Sequence, residues 1–284
     1  MKAPAFDYVR AASLPQVFDL MHQHGDDARL LAGGQTLVAT LNMRLSEPAL
    51  LIDIGNLAAL RGISLTGGLL RIGALSSHAE IEVSALVAQH APLLAQAAPH
   101  IAHAAIRNRG TLGGSLAYAD PAAEWPACIL ALDATVVLAS ARGERRLPAR
   151  GFFTGLYTTA MAADELITAV ELPVLADAER QAFDELARRH GDYAICGLAA
   201  RALCRGGKLL DVRLAFLGLE DRPVRATRTE AVLQGRALDD STLTLALQAL
   251  KAELHPAGDL TNSPATKLHL AGVLTQRVLR RLAA

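Results

Sequence analysis

Two segments of this chain put adjacent glycines beside hydroxyl side chains: Ala32-Gly33-Gly34-Gln35-Thr36-Leu37, and Arg107-Asn108-Arg109-Gly110-Thr111-Leu112-Gly113-Gly114-Ser115. Glycine lets the backbone take positive φ and lets a ligand approach the main chain closely. Successive N–H groups can then converge on an anion in a nest. Thr36, Thr111 and Ser115 can add hydroxyl donors to phosphate oxygens. Two such loops, drawn from distant parts of the chain, suit the two phosphates of a dinucleotide. Neither is GxGxxG, nor GxxxxGK followed by Ser or Thr, which disfavours a Rossmann or P-loop reading. A single Gly-Gly pair marks no more than a tight turn. The loops inform only together and with their flanks.

The surrounding pattern supplies elements that can position them. Ser13 is an N-cap candidate with Pro15 in the first turn of a helix, and Leu14, Val17, Phe18 and Met21 recur at helical spacing. Arg29 to Ala32 reads as a strand running into Gly33, and Leu50 to Ile54 as a buried strand ending at Gly55. Gly67-Gly68 marks a hairpin turn. Helices are expected over Glu80 to Gln89, Leu93 to Ala105 and Ala122 to Leu132, with a loop from Ile106 to Pro121 and strands over Ala134 to Ala139 and Leu166 to Leu172. A boundary falls near Pro173 to Glu179. Beyond it, Ala194 to Leu203, the turn Arg205-Gly206-Gly207 and Leu209 to Leu217 form a hairpin pattern, followed by helical patterns over Thr227 to Leu233, Asp240 to Leu254 and Pro264 to Leu282. Strands followed by helices argue for the α+β class.

Composition narrows the function. The 284 residues are 51% hydrophobic, enough for large cores and about two domains, and carry 28 basic and 28 acidic side chains. That balance gives no field to draw in nucleic acid or an anionic membrane. Cys128, Cys196 and Cys204 are isolated from one another and form no CxxC pair, which argues against a structural zinc site or an iron–sulfur cluster held by this chain alone. His78 and His103 lie near the loops in sequence, and packing roles are the simpler assignment for both. The N-terminus lacks a secretory pattern and the apolar runs are too short to span a bilayer, so a cytoplasmic location is expected.

The flanks of the glycine loops are specific. The run from Ile106 through Asp120-Pro121 and Glu124-Trp125 to Pro126 closely resembles the signature of flavoprotein subunits in the xanthine dehydrogenase and aerobic carbon monoxide dehydrogenase family, the molybdenum hydroxylases. The segment 32–37 resembles that family's other FAD loop. The likeness extends over almost the whole chain, through Phe152-Phe153-Thr154-Gly155, Asp164-Glu165-Leu166-Ile167, Gly191-Asp192-Tyr193-Ala194 and Pro223 to Ala226.

The resemblance implies a vanillyl-alcohol-oxidase-like (PCMH-type) FAD-binding domain over 1–175, with subdomains of about 1–57 and 58–175, and a C-terminal α+β domain over 178–284 holding a three-stranded sheet with helices. It implies non-covalent FAD with its pyrophosphate between the loops, the phosphate contacts coming from Ala32, Gly33, Gly34, Gln35 and Thr36 and from Thr111 to Gly114. Leu37, Arg107, Asn108, Thr111, Gly113, Gly114, Ser115 and Ala117 are implied among the residues that bind the cofactor. Asp120 is also implied in the site, and its place before Pro121 suits a turn-former better than a proton donor. Glu124 matches an acidic position that would hold ribityl hydroxyls as an ionised acceptor, or else carries a helix N-terminal charge. Ile167 falls at the adenine end and Tyr193 against the isoalloxazine face; the plain alternatives are a strand-core isoleucine and a half-buried strand tyrosine.

By the same resemblance the chain relays electrons, with no general acid or base of its own. The cofactor does the chemistry and the protein binds, orients and tunes it. The implied partners are a large subunit with a molybdenum cofactor and a small subunit with two 2Fe-2S clusters, assembled as a dimer of heterotrimers. The chain departs from the family pattern at Phe183-Asp184-Glu185-Leu186, where relatives often carry a lysine, and at Ala265-Thr266-Lys267-Leu268, where many have a Tyr-Arg pair. A missing cation near the flavin would disfavour its reduced anion. Two other classes of protein remain open from sequence: a stand-alone flavin oxidase of the same fold, and a non-catalytic nucleotide-binding assembly module.

Overall fold

The computed structural model describes residues 2–284. The chain opens with β1 (Asp7–Arg10), α1 (Leu14–His24), β2 (Ala28–Leu31), α2 (Leu37–Asn42) and β3 (Leu50–Asp53). These strands form a parallel sheet in the order β1-β3-β2. All four residues of β3 are buried, as expected of the middle strand. Ser13 caps α1 by accepting from the Gln16 N–H, and Pro15 sits in its first turn.

Next come β4 (Ile63–Thr66) and β5 (Leu69–Gly73), then six short helices: α3 (His78–Val83), α4 (Ala85–His90), α5 (Pro92–Ala97), α6 (Ala104–Arg107), α7 (Leu112–Tyr118) and α8 (Glu124–Ala131). The chain then returns through β6 (Thr135–Ser140), β7 (Gly143–Pro148), the small pair β8 (Phe153–Gly155) and β9 (Thr158–Thr159), and β10 (Leu166–Pro173). An antiparallel sheet results, in the order β4-β5-β10-β6-β7. The β4–β5 turn is built on Gly67 and Gly68, both at positive φ (59° and 76°), which suits a two-residue hairpin.

The last part holds β11 (Glu179–Ala187), β12 (Ala194–Arg205), β13 (Lys208–Leu217), the two-residue strands β14 (Val224–Arg225) and β15 (Arg236–Ala237), and helices α9 (Thr227–Leu233), α10 (Asp240–Glu253) and α11 (Pro264–Ala283). Three long antiparallel strands make the sheet, and β14 and β15 pair with β13 at its edge. Successive residues point to opposite faces, and β12 and β13 show the consequence. Ala199, Ala215 and Leu217 enter the core shared with α5, α8 and the second sheet. Leu198, Ala200, Leu214 and Phe216 enter a separate core under α10 and α11. The third sheet is therefore buried on both sides, and its inner face closes the body that carries the second glycine loop.

Three expectations need correction. The helices read over 80–89 and 93–105 are broken, because Ser84 leaves helical φ/ψ and its side chain caps the next helix by accepting from the Val87 N–H. Pro92 starts a third helix, and Pro99 lies in a 3₁₀ turn over Ala98–His100. The loop read over 106–121 contains α7. There the hydroxyl of Thr111 caps the helix, Leu112 and Leu116 are fully buried, and Ala119 ends it in the left-handed region. Burial of those leucines outweighs the low helix propensity of Gly113-Gly114. No helix among the described residues is long and apolar enough to cross a membrane.

Candidate functional site

The two glycine loops touch. A Cβ at Gly33 would stand 2.1 Å from the carbonyl oxygen of Arg109, so only glycine allows the first loop to lie against the second. The second loop is tied to the strand end after β5 by three main-chain bonds: His78 N–H to Gly110 O (2.9 Å), Leu112 N–H to Ser76 O (3.0 Å) and Gly113 N–H to Ala74 O (2.8 Å). Gly113 is also needed for contact, since a Cβ there would meet the Ala74 Cβ at 2.6 Å. Among the described residues, the main-chain N–H groups of Gly33, Gly34, Gln35 and Thr36 find no acceptor, while Gln35 Nε2 donates back to Gly33 O. Thr111 Oγ1 accepts from the Gly114 N–H (3.2 Å) and keeps its own proton free to donate.

A cleft of about 840 Å³ runs past this junction. Along one wall lie Ala32, Gly33, Gly34, Gln35, Thr36 and Leu37. Thr111, Gly113, Gly114, Ser115 and Ala117 face them, with Ile167 on the same cleft and Asp120, Glu124 and Tyr193 also lining it. Two expected residues are not brought there. Arg107 points away and pairs with Glu82 (Nε–Oε2 2.7 Å), also donating to Ile101 O, so it braces α3 against α6. Asn108 lines a neighbouring hollow of about 710 Å³ with Arg10, Arg61 and Arg109, across the first loop.

The cleft also gathers residues that the sequence reading left out or set aside: His78, Tyr118, Tyr157, Met161 and Gly191. Tyr118 and Tyr157 pack with ring centroids 5.0 Å apart. Gly191 has φ 82° and packs where a Cβ would stand 2.3 Å from Ala102 O, which fixes the loop carrying Tyr193. Tyr193 is not a half-buried strand tyrosine. It precedes β12 and is 74% exposed, free to cover whatever fills the cleft. Asp120 Oδ1 accepts from the Ala122 N–H (2.9 Å), so it makes the expected turn and still lines the cleft.

Burial governs the ionisable groups. Glu124 starts α8 with its carboxyl pushed up to about 8, first by burial and then by the nearby charge of Glu185. Its raised value favours the protonated form, which can donate as well as accept. His78 drops to about 4, chiefly by burial and secondarily by Arg107. Its Nδ1 accepts from Trp125 Nε1–H (2.9 Å), so the ring is neutral with its proton on Nε2.

That burial carries a prediction. The unfolded histidine, at 6.5, takes a proton before the folded one at about 4. Stability should be complete above pH 6.5 and fall by about 3 kcal/mol as the pH drops between those values. His78→Gln, which retains an acceptor for Trp125, should lose this segment of the pH dependence in urea unfolding. An unchanged profile would place the acid lability elsewhere.

The departures from the family pattern also find places. Glu185 lies on β11 with its side chain 3% exposed, and Asp184 pairs with Arg277 at 2.9 Å. Lys267 on α11 donates to Gly218 O (3.0 Å) and pairs with Asp259 (3.0 Å). Gly218 N–H in turn bonds Pro121 O (2.8 Å), so the last helix is linked to the turn that ends the second loop segment.

Residues 4–175 match the model of the FAD binding domain in molybdopterin dehydrogenase. The chain belongs to that family. Residues 181–282 further match the CO dehydrogenase flavoprotein C-terminal domain. The family relation extends over full-length relatives. The 6-hydroxypseudooxynicotine dehydrogenase complex subunit alpha of Paenarthrobacter nicotinovorans is 39% identical over 99% of this chain and 95% of the relative. Caffeine dehydrogenase subunit beta of Pseudomonas sp. (strain CBB1) is 36% identical over 100% and 96%. In three dimensions the chain matches carbon monoxide dehydrogenase of Hydrogenophaga pseudoflava with TM-score 0.97, 35% identity and coverage of 99% and 98%. It matches quinoline 2-oxidoreductase of Pseudomonas putida 86 with TM-score 0.95, 40% identity and coverage of 100% and 98%. The chain is thus an FAD-binding oxidoreductase subunit of the molybdenum hydroxylase type, with the α+β architecture anticipated from its residues.

Proposed function

We propose that this chain is the electron-transferring flavoprotein of a three-subunit molybdenum hydroxylase, taking electrons from a small 2Fe-2S subunit and passing them to an external acceptor. The observation that carries the reading is the contact of two glycine loops on the wall of one long cleft, with a row of unpaired main-chain N–H groups at the contact. Those N–H groups are a nest for a diphosphate, and a Cβ at Gly33 would fill the cradle, so the residues present fit FAD.

In this reading the 32–36 main chain and the Thr111 hydroxyl hold the diphosphate. The apolar wall around Ile167 takes the adenine end, and Glu124 and Tyr193 lie at the flavin end. Bound FAD would supply the exchange of electrons singly or in pairs. The chain's own residues bind it, screen one ring face with Tyr193 and set the charge around it with the protonated Glu124. The 1–57, 58–175 and 178–284 segments would serve as two FAD-binding subdomains and a C-terminal domain that closes the flavin end. The substrate would be chosen by a molybdenum-bearing large subunit, and the assembly would be a dimer of heterotrimers in the cytoplasm.

Native purification from the source cell tests this directly. Large and small partners should co-purify in equal amounts with a yellow subunit whose flavin is released by acid. A chain that purifies alone, or one whose flavin stays attached after acid precipitation, would overturn the assignment.

A further inference from the structure

Three tyrosines gather on the cleft from three separate parts of the chain. Tyr118 ends α7, Tyr157 sits in the turn between β8 and β9, and Tyr193 precedes β12. The rings of Tyr118 and Tyr157 pack with centroids 5.0 Å apart and planes at 51°. Tyr118 is 36% exposed and Tyr157 51%, so neither ring is used up in the core. Tyr157 has φ 52°, a left-handed backbone that is uncommon for an aromatic residue. Such a conformation persists only where the surroundings enforce it.

One segment of the C-terminal part, residues 218–222 after β13, reaches the neighbourhood of all three tyrosines. Arg222 Nη1 donates to Thr154 O (2.8 Å), three residues before Tyr157. Gly218 N–H donates to Pro121 O (2.8 Å), three residues after Tyr118. Gly218 also packs where a Cβ would stand 2.8 Å from the carbonyl oxygen of Ala194, the neighbour of Tyr193. The segment is itself anchored. Lys267 Nζ donates to Gly218 O (3.0 Å), Ala257 N–H to Leu219 O (2.8 Å) and His255 N–H to Glu220 Oε1 (3.0 Å).

Helix geometry relates the rings to the glycine loops. The helix α7 opens at the Thr111 cap, on the phosphate side, and Tyr118 lies seven residues on, about 10 Å along the axis at 1.5 Å per residue. That offset suits a ring joined to a diphosphate by a five-carbon ribityl chain. Aromatic neighbours hold such a ring by offset stacking or by edge-to-face contact. We propose that Tyr118 and Tyr157 join Tyr193 in enclosing the flavin ring of bound FAD, and that the 218–222 segment sets their spacing. Tyr157 contacts the ring, and Arg222 is a positioning residue that acts through Tyr157. The inference rests on the diphosphate placement given under the proposed function.

The test titrates the full apo chain with FAD and follows affinity, flavin emission and access of iodide to the ring. A tyrosine in contact with an excited flavin gives it one electron and takes it back, which extinguishes emission with no net chemistry. Tyr157→Leu should weaken FAD binding roughly 2- to 10-fold, brighten the bound flavin and open it to iodide. Arg222→Ala should reproduce these changes, and Arg222→Lys, which keeps a donor for Thr154 O, should restore the wild-type values. In a chain that already carries Tyr157→Leu, Arg222→Ala should add nothing.

Unchanged affinity, emission and iodide access in Tyr157→Leu would overturn the enclosure. Additive effects of Arg222→Ala and Tyr157→Leu would overturn the positioning role. Loss of co-purifying subunits from Tyr157→Leu, with emission and iodide access unchanged, would assign the tyrosines to a protein interface and overturn the enclosure as well. If Tyr157→Leu does not fold, Tyr118→Leu takes its place with the same expected changes. FAD binding that survives Gly33→Val would defeat the diphosphate placement, whereas the tyrosine variants read the ring end alone.

Discussion

Gly33→Val should yield a folded chain that purifies without flavin. The added Cβ would stand 2.1 Å from Arg109 O, a separation that bonded geometry elsewhere in the chain cannot relieve, because Arg109 belongs to a loop pinned by Gly110, Leu112 and Gly113. The loops must separate by more than an ångström. The N–H groups of residues 33–36 and the Thr111 hydroxyl would then no longer meet on one diphosphate. Loss of two charge-assisted hydrogen bonds at about 1.5–3 kcal/mol each corresponds to at least a ~100-fold weaker Kd, since about 1.4 kcal/mol is tenfold.

The flavin-to-protein ratio from the visible spectrum measures this loss, and far-ultraviolet circular dichroism shows whether the chain is folded. Gly68→Asn is the matched control. Gly68 has φ 76°, a region asparagine tolerates, in a turn where a Cβ meets nothing, and the variant should keep its flavin. Full flavin occupancy in Gly33→Val would rule out the loop contact as the phosphate cradle.

The loops were legible in sequence because their chemistry is local: glycines, hydroxyls and main-chain N–H groups within a few residues. The helix start marked by Ser13 was legible for the same reason, since a cap bonds an N–H three residues away. What escaped depends on partners distant in the chain. Arg107 was expected to bind the cofactor, and its pairing with Glu82 shows only in the fold. The raised carboxyl of Glu124 comes first from burial and then from the charge of Glu185 on the third sheet, neither of which shows in the local sequence. His78 looked incidental because neither Trp125 nor the close approach of Gly110 to its Nε2 shows in a one-dimensional pattern. The helix α7 was hidden by its own function: the glycines that permit contact with Ala74 are the residues that usually signal a loop.

One further residue with distant partners should be the chain's most costly single charge. Asp133 sits between α8 and β6 and accepts from Arg201 on β12 (2.9 Å) and Arg213 on β13 (3.0 Å), with Arg225 on β14 at 3.3 Å. It therefore ties the helix that carries Glu124 to three strands of the third sheet. Asp211 shares two of the guanidinium groups and Glu230 the third, so the loss of Asp133 leaves the cluster short of one negative charge.

Breaking a buried ion pair costs about 3–5 kcal/mol, but Asp133 is 34% exposed and solvent screening reduces that. Asp133→Asn should therefore destabilise the chain by about 2 kcal/mol at neutral pH. Asparagine is the right replacement because position 133 has φ 49°, a region it tolerates. Burial alone would raise the Asp133 carboxyl, but hydrogen bonds and charge from the three arginines outweigh it and hold the group below its ordinary 3.8. Its contribution is complete above that value and disappears as the pH falls through the lower folded value. Urea unfolding of the two chains should therefore differ fully at pH 7 and converge in acid below pH 3.8. Equal stability at pH 7 would show that the arginines are served by solvent and the other acids, and that α8 is held to the third sheet by its apolar contacts alone.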